Sequence, residues 1–135
     1  MPSRRLEDLD PILATAFTEA KRRYELAYLG NKVIITCTYR PNEEQNELYA
    51  QGRSKSGAKV TNARAGQSPH NYKPALAFDI AFLGKDEKLD WREEHFKHFA
   101  EIMKDVNKEI EWGGNWKFKD APHFQRRDWK NYIKQ

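Results

Sequence analysis

The apolar positions of this chain change period along its length, and those changes predict its elements. Leu13, Ala16, Phe17, Ala20, Tyr24 and Ala27 recur at intervals of three and four, the stripe of an amphipathic helix. Asp10 before Pro11 supplies an N-cap and a proline at the first helical position, and Gly30-Asn31 closes the segment. From Lys32 to Arg40 the residues are β-branched and the expected period is two, so Val33, Ile35, Cys37 and Tyr39 share one face and Ile34, Thr36, Thr38 and Arg40 the other. Pro41-Asn42-Glu43-Glu44 opens a second helix with acids in its first turn, Leu48 and Tyr49 as its buried residues, and Gly52 as its stop. Pro74 to Phe82 reads as a strand with Leu76, Phe78, Ile80 and Phe82 facing the core and Ala75, Ala77, Asp79 and Ala81 facing away.

A third helix is predicted from Trp91 to about Asn107, with Phe96, Phe99, Ile102, Met103 and Val106 inward. Glu109 to Trp112 forms a short strand, Gly113-Gly114 a turn, and Pro122 to Arg126 a last strand with His123 and Gln125 on one face and Phe124 on the core side. The order α, β, α, β, α, β, β predicts a small single α+β domain, residues 1–135, with an antiparallel sheet flanked by helices. Between the second helix and second strand, Arg53 to Lys73 lacks apolar periodicity. Structureless stretches of this length in small domains are usually functional or mobile, and this one is expected to wall a cleft.

Composition narrows the function. Hydrophobic residues at 39% and aromatics at 13% place the chain among globular proteins. The start, Met1-Pro-Ser-Arg-Arg-Leu-Glu-Asp, has no apolar core after its basic residues, and no run approaches the ~18 apolar residues of a membrane span. The chain is therefore expected to be made in the cytoplasm without a signal peptide, and to need release if its substrate lies outside. A single cysteine, Cys37, excludes an internal disulfide and a cysteine-built structural zinc site; within its strand it reads as a small core residue rather than a nucleophile. The net charge of +4 is unevenly spread: from Gln51 to Phe78 there is no Asp or Glu, while Arg53, Lys55, Lys59, Arg64 and Lys73 fall there. Apart from serving as a solvated basic loop, such a stretch suits an anionic partner, either nucleic acid or a carboxylate-rich polymer such as cell-wall peptide.

Two short segments concentrate the chemistry. Ser68-Pro-His70 with Asp79, and Asp120-Ala-Pro-His123, offer two imidazoles and two carboxylates in a chain with four histidines. That set suits a catalytic zinc site with three protein ligands, an open position for water and a separate carboxylate to move protons. Asp79 stands among alanines, where a buried carboxylate needs donors or a metal. Asp120 lies three residues before His123 across a turn, beside the imidazole but not behind it, as a base stands beside a metal ligand. Each residue also has an ordinary reading: a packed histidine, or an aspartate closing an Asx turn. His95 and His98, three apart on the third helix, read as packing and surface residues.

Thr38-Tyr39-Arg40, Ser68-x-His70, Ala77-x-Asp79, Trp112-Gly-Gly-Asn-Trp116 and Asp120-x-x-His123-Phe-Gln stand in an order that resembles the zinc D-alanyl-D-alanine carboxypeptidase and L-alanyl-D-glutamate peptidase family, most closely its phage and prophage endolysins. The resemblance spans roughly Val33 to Gln125. It implies the fold shared by these peptidases and the hedgehog signalling domain, one catalytic Zn2+ held by His70, Asp79 and His123, Asp120 as catalytic carboxylate and Arg40 as the group that polarises the scissile carbonyl. It implies Ser68, Trp116 and Tyr39 at the substrate, a peptidoglycan stem peptide cleaved by a monomer that acts on the wall after release. The family pattern has seven residues from histidine to aspartate; here the interval is nine, with Lys73-Pro74 in place of the glycine region. The expected bond is L-alanyl-D-glutamate, with D-alanyl-D-alanine carboxypeptidase activity as the alternative. From other classes, a non-catalytic zinc-containing wall-binding module, and a basic nucleic-acid-binding domain using Tyr72, Trp112 and Trp116 as stacking platforms, also fit the composition. Retention of both Asp120 and Arg40 argues for catalysis, since binding alone needs neither.

Overall fold

The structure, a computed structural model, describes residues 2–134. Helices α1 (Pro11–Ala27), α2 (Asn42–Ala50) and α3 (Glu93–Val106) alternate with strands β1 (Lys32–Cys37), β2 (Ala77–Leu83), β3 (Ile110–Trp112) and β4 (His123–Arg126). The four strands form one antiparallel sheet in the order β1-β2-β4-β3. The element order is the one expected from the pattern, with strand ends shorter than read. No helix among the described residues is long and apolar enough to cross a membrane.

One face of the sheet packs on α1 and α3. Asp10 caps α1 by accepting from Leu13 N at 3.4 Å. Leu13, Ala16, Phe17, Ala20 and Tyr24 are buried along that helix, but Ala27 at its last turn is exposed. Across the interface Phe78 stacks on Phe124 at 5.4 Å and meets Phe17 edge-on at 5.5 Å, while Phe99 meets Phe124 edge-on at 5.5 Å. Edge-on and offset geometries satisfy the ring quadrupoles as the rings leave water. On α3, Phe96, Phe99 and Met103 are buried; Ile102 and Val106 are only half-buried against the same core. His95 is buried, its Nδ1 at 3.1 Å from the Tyr24 hydroxyl and Nε2 at 2.9 Å from Asp90, and His98 stacks on Tyr28. Both are packing residues.

Two local departures from the sequence pattern shape the opposite face. In β1 the period-two reading fails, because Ile35 pairs with Ile80 while Cys37 pairs with Asp79, so one residue is bulged out between them. The bulge carries Cys37 from the core face to the face of Asp79; it is buried, but not in the apolar core. In α2 the buried side chain is Gln45, fully enclosed, while Leu48 and Tyr49 are half-buried. Gln45 bridges the start of the chemistry to the long loop, accepting from Arg40 Nη1 at 3.0 Å and donating to the Ala63 carbonyl at 2.8 Å. The loop is held on α2 as well: Arg53 and Arg64 lie over the Tyr49 ring at 3.9 and 4.9 Å.

Replacing Phe78 by Ala empties the contact between Phe17 and Phe124, and denaturant unfolding should show a loss of about 3–5 kcal/mol. A loss below about 1 kcal/mol would place the core elsewhere than on this face.

Candidate active site

Antiparallel pairing puts Asp79 of β2 directly opposite His123 of β4, and opposite Cys37 of β1 on its other side. His70 arrives from outside the sheet. It sits in a single 3-10 turn, Pro69–Asn71, capped at both ends of the motif: Ser68 Oγ accepts from His70 N at 3.2 Å and Asn71 Oδ1 accepts from Ser68 N at 3.1 Å. Arg40 N donates to the His70 carbonyl at 2.8 Å, tying the turn to the residue after β1. The long interval before Asp79 is absorbed ahead of the strand, where Ala75 exchanges backbone hydrogen bonds with Asp8 and Asp10 and Leu76 N bonds to the Pro69 carbonyl.

The result is one carboxylate between two imidazoles. Asp79 Oδ1 lies 3.2 Å from His70 Nε2 and 3.0 Å from His123 Nδ1. His70 Nδ1 donates to the Thr38 carbonyl at 2.8 Å, which leaves Nε2 as the nitrogen for Asp79 or a metal. Arg40 Nη2 reaches Asp79 Oδ2 at 3.7 Å and Cys37 Sγ at 3.6 Å. Trp116 packs at 5.2 Å on the His123 ring.

Asp120 is held by its backbone. Its N–H donates to the Gly113 carbonyl at 3.0 Å and its carbonyl accepts from His123 N at 3.1 Å, closing the turn into β4. A side chain at Gly113 would bring a Cβ within 2.5 Å of the Asp120 carbonyl oxygen and 3.2 Å of His123 Cβ, so the close approach requires glycine here. Arg40, Ser68, His70, Asp79, Trp116, Asp120, His123 and Gln125 line one cleft of about 390 Å3. It continues into an outer chamber of about 690 Å3 across Val60, Thr61, Ala63, Gln67, Trp116 and Asp120, with Phe118, Lys119 and Lys130 beyond. Tyr39 is not among the lining residues; its half-buried ring packs on the core, with Lys73 Nζ at 5.4 Å.

The electrostatics follow from enclosure. Burial by itself would drive the His70 imidazolium to a lower pKa, but the adjacent Asp79 carboxylate outweighs it, and His70 rises to about 10. Burial opposes ionisation of Asp79 as well; His70 first, then His123, reverses this and holds Asp79 well below the carboxylate range. Asp120 opens to solvent at the cleft mouth, yet the surrounding protein raises its pKa, and nearby Asp79 adds to the rise against the pull of His123. A carboxylate with raised pKa is the better proton acceptor.

His70 Nε2, Asp79 Oδ1 and His123 Nδ1 form a two-imidazole, one-carboxylate donor set that fits a catalytic zinc. Among the described residues, Cys37, His70 and Asp79 place one ligand atom each within 4.8 Å of one another; His123 Nδ1 joins them through Asp79 Oδ1 at 3.0 Å. Cys37 Sγ lies 3.6 Å from His70 Nδ1, the nitrogen already committed to Thr38. The residues that sequence reading passed over are Gln45 and Asn71, which hold Arg40 and the histidine turn; Gly113, read as a turn, holds the aspartate turn. A buried glutamine on a polar helix leaves no signal in the pattern.

In protein stripped of metal, the His70–Asp79 pair has a defined pH window. The lowered pKa of Asp79 contributes stability above 3.8 that is lost in acid, and the raised pKa of His70 contributes stability below 6.5 that is lost as pH climbs towards about 10. Melting temperature of the chelated protein should therefore fall from pH 6.5 to 10, and Asp79→Asn should flatten that slope. An unchanged slope in the variant would show that another group titrates.

A family profile described as D-alanyl-D-alanine carboxypeptidase matches residues 61–126. The chain is 41% identical over 128 residues to the peptidoglycan L-alanyl-D-glutamate endopeptidase CwlK of Bacillus subtilis (strain 168), across 87% of this chain and 73% of that protein. Among solved structures, the fold matches the L-Ala D-Glu endopeptidase ChiX of Serratia marcescens with a TM-score of 0.67 at 22% identity, over 98% of this chain and 92% of that one. It matches the LD-carboxypeptidase LdcB with a TM-score of 0.63 at 14% identity, over 97% of this chain and 69% of that one. Identity of 41% over most of both chains, on a sheet that brings the motif histidines and aspartates together, establishes that the chain belongs to the family of zinc D-alanyl-D-alanine carboxypeptidases and L-alanyl-D-glutamate peptidases.

Proposed function

We propose that the chain is a zinc-dependent endopeptidase that hydrolyses the L-alanyl-D-glutamate bond of the peptidoglycan stem peptide. The observation that carries this is the convergence of His70 Nε2 and His123 Nδ1 on Asp79 Oδ1, at 3.2 and 3.0 Å, in a cleft that Asp120 and Arg40 also line. His70, Asp79 and His123 would hold the metal. Zinc bound there supplies Lewis acidity to water and to a peptide carbonyl near neutral pH.

The chain's own groups do the rest. Asp120, beside the ligand His123 and with its pKa raised, accepts the proton of the attacking water and returns it to the leaving amine. Arg40 is held by Gln45 and Asp79 with its side chain largely buried, a preorganised cation for the charge that develops on the carbonyl oxygen. Ser68 is a positioning residue: its hydroxyl caps the turn that presents His70. Trp116 packs on His123 and bounds both chambers of the cleft. The outer chamber gives room for peptide beyond the scissile bond, as an endopeptidase needs. Lys119 and Lys130 there suit the carboxylates of an acidic stem peptide. The same lysines suit a chain-terminal carboxylate, which favours D-alanyl-D-alanine carboxypeptidase action as the second reading. An endolysin-type role, with the monomer acting on the wall, belongs to the same proposal.

Purified peptidoglycan incubated with the protein should release peptides that vanish with chelator and return with zinc, and their masses should name the bond. Asp120→Asn should keep zinc and fold but lose turnover by at least about 100-fold. His123→Ala should lose zinc. Intact stem peptides with zinc confirmed bound would overturn the enzymatic reading, and loss of terminal D-alanine alone would select the carboxypeptidase.

A further inference from the structure

We infer that Gln125 and Glu111 form a relay that sets which nitrogen of His123 is free to bind metal, and that they are positioning residues for the site. The inference rests on the reading of His123 as a ligand. His70 and His123 present opposite ring nitrogens to Asp79, Nε2 from one and Nδ1 from the other, so each needs its other nitrogen protonated by a different device. For His70 the device is a backbone carbonyl, that of Thr38, which no substitution removes. For His123 it is a side chain. Gln125 Oε1 lies 2.8 Å from His123 Nε2, and Gln125 Nε2 lies 2.6 Å from Glu111 Oε1.

The direction of the relay follows from its far end. An ionised carboxylate only accepts hydrogen bonds, so Glu111 must face the amide nitrogen of Gln125. The amide carbonyl then faces His123 and accepts from Nε2–H. In the metal-free protein Asp79 accepts from Nδ1–H as well; a metal bound at Nδ1 would take the place of that proton, and Nε2–H on Gln125 is the proton that stays. A glutamine alone could turn its amide over and favour the wrong tautomer; the carboxylate on the neighbouring strand prevents this.

The sheet supplies the geometry. Glu111 and Gln125 are register partners of β3 and β4, and His123 is two residues from Gln125 on the same face. Gln125 is buried, and Glu111 is held on its outer side by Arg127 at 3.7 Å. The relay therefore runs from a surface cation to a ligand atom along one face of the sheet. Outer partners of this kind fix ring orientation and raise ligand basicity.

Zinc affinity can be measured by competition with a chromophoric chelator, and protonation by the imidazole N–H resonances of the metal-free and zinc-loaded protein. Wild type should show a His123 Nε2–H protected from exchange and close to the Gln125 side chain. Gln125→Leu should lose that resonance and weaken zinc by about 10–100-fold. Gln125→Glu sets two carboxylates against each other and should also fail. The exchange Glu111→Gln with Gln125→Glu restores an acceptor for Nε2–H and a donor behind it. It should bind zinc to within about threefold of wild type, a coupling that neither single change predicts. Because both changes are nearly isosteric, this variant carries the test even if Gln125→Leu does not fold. A proton missing from Nε2 in the zinc-loaded protein, or an exchange variant no tighter than Gln125→Glu, overturns the relay. If wild type shows the protected Nε2–H yet binds no zinc, the relay stands and the reading of His123 as a ligand fails.

Discussion

The pairing of Asp79 with His123 across β2 and β4 is the constraint on which the rest of the molecule depends. It places a carboxylate and an imidazole opposite each other on a buried sheet face, where neither is tolerated alone. A third group, His70, must then be delivered from a loop, and much of the remaining polar structure serves that delivery. Ser68 and Asn71 cap its turn, Arg40 N and the Thr38 carbonyl grip it from β1, and Gln45 locks Arg40 to the long loop. An isolated charge in this position would neutralise itself; bracketed by imidazoles and a guanidinium, it stays ionised.

The two faces of the sheet divide the labour. Phe78, Ile80, Phe82 and Phe124 pack on α1 and α3 and supply the burial that stabilises the fold. Their immediate neighbours Asp79, His123 and Gln125 face the cleft. Because Asp79, His123 and Gln125 are each next in sequence to a core residue, the rigidity of the core is passed directly to this part of the site. The bulge in β1 extends this arrangement by turning Cys37 towards His70 and Arg40. The turn at Asp120 uses the opposite device: a glycine at position 113 lets two backbones approach until the aspartate is held by main chain alone.

Much of this was legible along the chain. Period three-and-four and period two located the helices and strands, and the polar members of the strand patterns, Asp79, His123 and Gln125, lay on the face read as non-core. The motif order pointed to His70 and Asp120 as well, and both line the cleft. Tyr39, next to Arg40 in the same motif, does not, because neighbours in an extended segment point in opposite directions.

The sequence by itself determined which residues could be apolar core and which could not, since a period that matches the backbone repeat is a local property. It also carried the family, because the spacing within each motif is local. Only the tertiary structure decided which ring nitrogens face Asp79, which glutamine is buried, and that Cys37 leaves the core face. Those outcomes depend on strand register, one bulged residue and hydrogen bonds between segments far apart in the chain, such as Gln45 with Ala63 and Glu111 with Gln125. Buried polar groups must find partners wherever the fold brings them, and no periodicity records where that is.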